Sequence, residues 1–170
     1  MTEDFREIKP YQIKDNVFKL IEQDWMLVTA GKPESFNTMT ASWGGFGSLW
    51  SRLVCFAFIR PQRYTHRFME NADFFTLSFF EEQYRDVLTL CGTKSGRNVD
   101  KVAKTGLTPV FNDHNAVYFL EARIVLLCRK IYAQDIAGAH FIDISVEQEI
   151  YPAKDYHRMY VGEIVHCFVK

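Results

Sequence analysis

Four short runs of this 170-residue sequence carry side chains that could do chemistry: FNTMTASWGG at 36–45, RPQRYTHRF at 60–68, KSGRNVDK at 94–101 and YHRMYVGEI at 156–164. The first alternates like a strand, yet both of its faces are small or polar. Phe36, Thr38, Thr40 and Ser42 share one side, and Asn37, Met39, Ala41 and Trp43 the other. Three hydroxyls and an amide are poor core material, so this strand must face something other than hydrocarbon. In the second run a strand stops at Arg60–Pro61, Arg60 and Arg63 flank the turn, and Tyr64–Thr65 begin a helix. Guanidinium donors, a hydroxyl and the free N–H groups of a first helical turn together make an anion site. The third run sets Lys94, Arg97 and Lys101 around a flexible Ser95–Gly96 turn, with Asp100 placed to cap a helix. The fourth puts His157 among aromatic residues in an alternating strand.

Each run also has a structural alternative. The arginines can be solvated while Thr65 caps its helix, and KSGRNVDK can be a charged helix face. His157 and Trp43 can be ordinary packed residues. Spacing alone therefore supports a β-rich domain with a candidate phosphate site. Other chemistries are excluded: GGFGSLW lacks the third glycine of a dinucleotide fingerprint, and GTKSG lacks the Gly-Lys-Ser/Thr order of a P-loop. No Gly-x-Ser-x-Gly elbow is present, and the five histidines never fall at metal-ligand spacing, so no metal is expected.

These residues need elements to position them. Helical spacing is expected in DNVFKLIEQ (15–23, capped by Asp15 or Asn16), YTHRFMENA (64–72), EEQYRDVLTL (81–90) and a short helix before Gly106 and Pro109. Strands are expected at 25–31, closed by a Gly31–Pro33 turn, and at 36–43, 53–59, 74–80, 116–136, 140–146 and 156–169. Six or seven strands with antiparallel-type connections suggest a small barrel with helical insertions. No repeat or composition break divides the chain, so residues 1–170 read as one domain, with 1–23 an N-terminal arm and short helix.

Composition narrows the partners. Apolar residues make up 48% and aromatic residues 15% of the chain, enough for a packed core and too much for disorder. A formal net charge of −1 gives no electrostatic motive for nucleic-acid binding. No apolar run is long enough to span a membrane, and the start MTEDFREIKP is too charged for a signal peptide. Cys55, Cys91, Cys128 and Cys167 are far apart with no CxxC pair, and read as buried thiols of a cytoplasmic protein.

NTMTASWGG, RPQRYTH, SGRNVDK with GLTPV close behind, and HRMYVGEIV, in this order, resemble the flavin reductase-like, FMN-binding split-barrel family, and most closely its flavoredoxin-like branch. The resemblance runs from about residue 20 to the C-terminus. It implies a mainly β split barrel of Greek-key type, with short helices, that binds FMN as a homodimer with flavin sites near the subunit interface. It further implies that Asn37, Thr38, Met39, Thr40, Ala41, Ser42 and Trp43 line the flavin ring and ribityl chain. Thr65 would sit at the phosphate end with Arg60, Arg63 and Tyr64, and Ser95, Arg97, Lys101 and His157 would complete the pocket, with His157 as the catalytic candidate. Two departures stand out. Asn98 replaces the first Asp of the usual Gly-Arg-Asp-Val-Asp-Lys, and Tyr156 separates Asp155 from His157 where many related reductases have Gly-Asp-His.

The implied activity is NADH- or NADPH-dependent reduction of FMN. The alternative is an electron-transfer flavoprotein served by a redox protein partner, with no direct oxidation of nicotinamide; a ligand-binding member without turnover is a third reading. Reduction drives the flavin toward an anion, so positive charge beside the ring stabilises the product, and Lys101 and His157 are the candidates.

Overall fold

A computed structural model describes residues 5–170; the first four residues of the arm, and of the charged start, lie outside the described residues. The strands are β1 (Arg6–Ile8), β2 (Met26–Lys32), β3 (Ser35–Ala41), β4 (Gly44–Leu49), β5 (Arg52–Ile59), β6 (Phe74–Phe79), β7 (Pro109–Phe111), β8 (Val117–Phe119), β9 (Ile124–Asp135) and β10 (Arg158–Val169). The α-helices are α1 (Val17–Glu22), α2 (Tyr64–Asn71), α3 (Arg85–Thr93), α4 (Lys101–Thr105) and α5 (Ile144–Ile150).

The main sheet is antiparallel and runs β3-β2-β6-β9-β10-β5-β4, with β1 also pairing the end of β10. The order is of Greek-key kind: β6 returns beside β2, and β10 returns beside β5. β3 and β4 are consecutive in the chain yet end the path at opposite edges, without pairing to each other. The sheet is thus a split barrel that is not closed, and its split lies beside Ser42 and Trp43. A small second sheet pairs β7 with β8.

Period-two alternation sorts the side chains. Met26, Val28, Ala30, Phe75, Leu77, Phe79, Leu126 and Cys128 fill the main core, while Leu27 and Val125 point to a second cluster under α3 with Leu88, Phe80 and Phe119. Each fully buried aromatic or aliphatic side chain contributes roughly 1.5–3 kcal/mol. Gly162 on β10 gives the Phe75 ring its place: a Cβ there would stand 2.5 Å from Phe75 Cζ and 2.8 Å from Cys128 Cβ. The four cysteines are free and buried.

Local signals explain the helices. Asn16 Oδ1 caps α1 by accepting from the N–H groups of Phe18 and Lys19, Asp100 caps α4 through Ala103 N–H, and Gly106 ends α4 at φ 72°. The structure departs from expectation at 140–146. That stretch is a short 3-10 turn followed by α5, not a strand, because Asp143 Oδ1 accepts from Ser145 N–H and starts a helix. Its alternating Ile142, Ile144 and Val146 stay exposed and never enter a sheet. The stretch 116–136 is broken at 120–123 into β8 and β9, and β1, β4 and β7 bring the strands among the described residues to ten, above the expected six or seven.

Candidate functional site

Edge strand β3 and the loops lapping over it gather many of the chemistry-bearing residues. α2 and α3 both pack on β3. Asn37 is buried, and its Nδ2 donates to Thr65 Oγ1 at 2.7 Å and to the Thr38 carbonyl at 3.3 Å. Thr65 is therefore inside the first turn of α2, held by Asn37, while Arg63 occupies the N-cap position. Asn37 Oδ1 faces the loop at Gly96, where a Cβ would collide with it and would stand 3.0 Å from the Tyr64 ring. Only glycine lets the 94–98 loop lie this close.

Three cations converge here, each tied to backbone carbonyls. Lys101 Nζ, buried, donates to Thr38 O at 2.7 Å and Cys91 O at 2.8 Å. Arg63 Nη1 donates to Gly92 O at 2.8 Å, and Arg97 Nη1 to Gln62 O at 3.2 Å. Among the described residues, no carboxylate pairs with Arg63, Lys94, Arg97 or Lys101, whereas Arg52, Arg60, Arg85, Arg123, Arg129 and Arg158 all have one. A carbonyl dipole orients a cation but leaves its net charge uncompensated, so this corner of the molecule carries a local excess of positive charge. Burial pushes the Lys101 amine down to about 8, opposed by Cys91 and reinforced by the Arg63 charge. Burial likewise lowers Arg63 and raises the Cys91 thiol, which stays protonated.

These groups enclose an inner cavity of ≈ 150 Å³ lined by Asn37, Met39, Arg63, Tyr64, Thr65, Lys94, Ser95, Arg97 and Lys101, with Gly92 and Gly96 in its wall. On the other side of the Gly96 wall lies an outer cleft of ≈ 730 Å³, which shares Asn37, Tyr64, Gly96, Arg97 and Lys101 and adds Thr38.

The other expected site residues lie apart from the inner cavity. Thr40 Oγ1 donates to Leu88 O at 2.5 Å and ties β3 to α3. Ala41 belongs to the main core. β3 ends at Ala41, so Ser42 and Trp43 lie beyond it and do not share a strand face with Asn37. They line an apolar groove of ≈ 650 Å³ with Val17, Phe18 and Ile21 of α1 and Phe46 and Phe58. Trp43 is 43% exposed, and its ring lies beside that of His157, centroids 4.8 Å apart.

His157 precedes β10, and its Nδ1 lies 2.8 Å from Tyr151 Oη. Burial raises the Tyr151 phenol, so it stays protonated and shares one hydrogen bond with the imidazole Nδ1. Burial first, then the Arg60 and Arg63 charges, push His157 down to about 4 against the opposing pull of Asp155. The ring is neutral at pH 7, so cationic charge at this site rests with the lysine and arginines. Asp155 makes no bond to His157; it accepts from Arg60 at 2.5 Å and Gln62 at 2.7 Å. Arg60 also donates to Ile150 O and lies 5.3 Å from the Tyr151 ring centroid. It is charge-compensated and turned to the His157 side. The Arg63 charge is felt at both Lys101 and His157, which makes the two clusters electrostatic neighbours.

Sequence reasoning missed Tyr151. It stands six residues before His157, a separation no periodicity flags, and the adjacent Asp155 drew attention instead. The Gly92 and Cys91 carbonyls that hold the cations carry no side-chain signal at all.

The family model for the flavin reductase like domain matches residues 18–170. No match was found among curated proteins. Among solved structures, the fold is similar to flavoredoxin from Methanosarcina acetivorans (TM-score 0.70, 18% identity, 96% of this chain and 76% of that one). It is also similar to the flavoredoxin of Desulfovibrio vulgaris (Miyazaki F) (TM-score 0.68, 24% identity, 96% and 77%). A third similar fold is the NADH:FAD oxidoreductase of Streptomyces globisporus C-1027 (TM-score 0.66, 16% identity, 86% and 75%), a protein also solved with NAD and FAD fragments. With its open antiparallel barrel and a model match over residues 18–170, the chain belongs to the flavin reductase-like domain family.

Proposed function

We propose that this protein is a single-domain FMN-binding oxidoreductase, an NADH- or NADPH-dependent flavin reductase, that holds the phosphate end of FMN in the inner cavity. The observation that carries this reading is the set of four cations, Arg63, Lys94, Arg97 and Lys101, walling one small cavity without a paired carboxylate among the described residues. The donor set suits a phosphate: two guanidinium forks, two ammonium groups and the hydroxyls of Ser95 and Thr65. At ≈ 150 Å³ the cavity is of phosphate size and leaves a tricyclic ring outside it.

When bound, FMN supplies a ring that takes two electrons from a nicotinamide and passes them on. The chain's own residues bind, orient and shield it. Asn37 braces Thr65 and keeps Oδ1 as an acceptor at the cavity wall. Lys101 and Arg63 hold positive charge on that wall, which favours negative charge on the ligand. His157, locked by Tyr151, presents a neutral imidazole beside Trp43. We read the protein as a homodimer, on the exposed apolar side chains Phe18, Trp43, Ile142 and Ile144.

Anaerobic mixing of the FMN-loaded protein with NADH and with NADPH tests the activity. Rapid bleaching of the flavin absorbance with one of them is the expected result. Stable yellow colour with both, and bleaching only by a reduced protein donor, would make the protein an electron carrier. A preparation that takes up no FMN sinks both forms of the proposal.

A further inference from the structure

The return of the chain from α5 to β10 is built around one side chain. Tyr151 is only 3% exposed, and four groups crowd its ring. The Tyr156 ring lies 5.1 Å away and that of Phe141 5.9 Å, the Arg60 guanidinium stands 5.3 Å from the centroid, and His157 meets it edge to face at 5.6 Å. Tyr156 is held in its turn. Its hydroxyl donates to Glu147, a buried carboxylate that also accepts from Lys154 at 2.8 Å. A ring packed this closely keeps one rotamer, so the Tyr151 hydroxyl has a fixed place, 2.8 Å from His157 Nδ1.

The carboxylate nearest in sequence is engaged elsewhere. Asp155 accepts from Arg60 at 2.5 Å and from Gln62 at 2.7 Å, and Arg60 is tied down further by the Ile150 carbonyl, next to Tyr151 in the chain. Trp43 offers His157 a ring contact without a hydrogen bond. Among the described residues, Nδ1 is therefore bonded to Tyr151, and no hydrogen bond reaches Nε2 although the imidazole is only partly buried. One ring nitrogen serves orientation, and the other is open to a ligand. We propose that Tyr151 is the positioning residue of His157, its hydroxyl fixing the imidazole so that Nε2 is the atom offered to the bound ligand. A phenol in this place has a chemical consequence. A carboxylate at Nδ1 favours the imidazolium, whereas a neutral phenol does not. The charged and titratable groups around the ring are Arg60 and Arg63 from the turn between β5 and α2, Asp155, and Tyr151 itself. Burial first, and then Arg60, keep the imidazole neutral at pH 7. His157 thus meets its ligand as a neutral hydrogen-bonding group and not as a cation. The bond to Nδ1 is independent of any ligand; that the ligand is a flavin rests on the function proposed above.

The test has two arms, and the first needs no ligand. In the apoprotein with isotope-labelled histidine, NMR should give two well-separated ring-nitrogen shifts for His157, the mark of one fixed tautomer, at pH 7 and at pH 5.5 alike. Tyr151→Phe keeps the packed ring and removes only the hydroxyl, and should draw the two shifts together as the tautomers exchange. The second arm reads the midpoint potential of the FMN-loaded protein. His157→Phe should change the ratio of affinities for reduced and oxidised FMN about three- to tenfold, the size of one hydrogen bond, which for a two-electron couple is a shift of about 15–30 mV. Tyr151→Phe should move the potential in the same direction, and the double variant no further than His157→Phe alone, because Tyr151 acts through His157. Ring-nitrogen shifts identical in wild type and Tyr151→Phe, a potential that Tyr151→Phe leaves unmoved, or effects that add in the double variant overturn the positioning role. Shifts that converge in Tyr151→Phe, in a protein that takes up no FMN, keep the pairing of Tyr151 with His157 and sink the flavin reading.

Discussion

Lys101 makes the anion-site account quantitative. Its ammonium is buried against two carbonyls and titrates near pH 8, below its ordinary value of 10.5. Cys91 and Arg63 are the charged or titratable groups acting on it: burial raises the thiol, and the guanidinium, though lowered, stays protonated. A phosphate monoester is fully dianionic over the same window, since its second pKa is about 6. A dianion arriving in the cavity favours the protonated lysine, so binding must take up a proton near pH 8 and raise the Lys101 pKa. At an effective dielectric constant of about 20 and a separation of roughly 6 Å, one unit pair contributes about 3 kcal/mol, or about 100-fold in affinity. FMN affinity should therefore fall steadily as pH rises above 8, and calorimetry in two buffers of different ionisation enthalpy should count the proton uptake. Lys101→Met should bind FMN weakly at every pH, take up no proton, and lose stability because Thr38 O and Cys91 O lose their donor. A wild-type affinity that stays flat from pH 7 to 9.5, with no proton uptake, would refute the placement of Lys101 beside the phosphate.

Other residues yield sharper local expectations. Thr65→Ala removes the acceptor of Asn37 Nδ2 and a cavity hydroxyl, so it should lower unfolding stability by about 1–3 kcal/mol and weaken FMN binding, while Thr65→Ser preserves both. Gly96→Ala drives a Cβ into Asn37 Oδ1; the loop must shift, and titration should show FMN affinity lowered at least about tenfold alongside a modest drop in Tm. His157 titrates near 4 in the folded chain against about 6.5 unfolded, so the unfolded state binds its proton first. That contribution is absent above pH 6.5 and grows to a loss of about 3 kcal/mol as pH falls to 4. Denaturant titrations at pH 7, 5.5 and 4.5 should show a shallower decline for His157→Gln than for wild type.

The alternation of 36–41 and the helix after Arg63 are local properties, and both were legible. Each basic run was legible by itself, Arg63 at a helix start and Arg97 and Lys101 around a loop, but that the two runs meet was implied only by the family resemblance. The division of FNTMTASWGG was not legible. Its two ends serve different spaces because β3 stops at the split of the barrel, and only the unpaired β3 and β4 edges reveal where that split lies. At 140–146, period two pointed to a strand, yet the helix start at Asp143–Ser145 prevailed and Ile142, Ile144 and Val146 stay exposed. The His157 partner was hidden for a related reason. Tyr151 reaches it through the return of the chain between α5 and β10, a tertiary contact that spacing does not encode.

The phosphate is the group by which the cation-walled cavity is proposed to hold FMN. Comparing the affinities of FMN and riboflavin for the apoprotein at pH 7 tests it most directly, since the two differ only in that group. FMN should bind at least about 100-fold tighter, and the advantage should shrink by at least about tenfold in Arg63→Met. Equal affinities for FMN and riboflavin in the wild-type protein would contradict it.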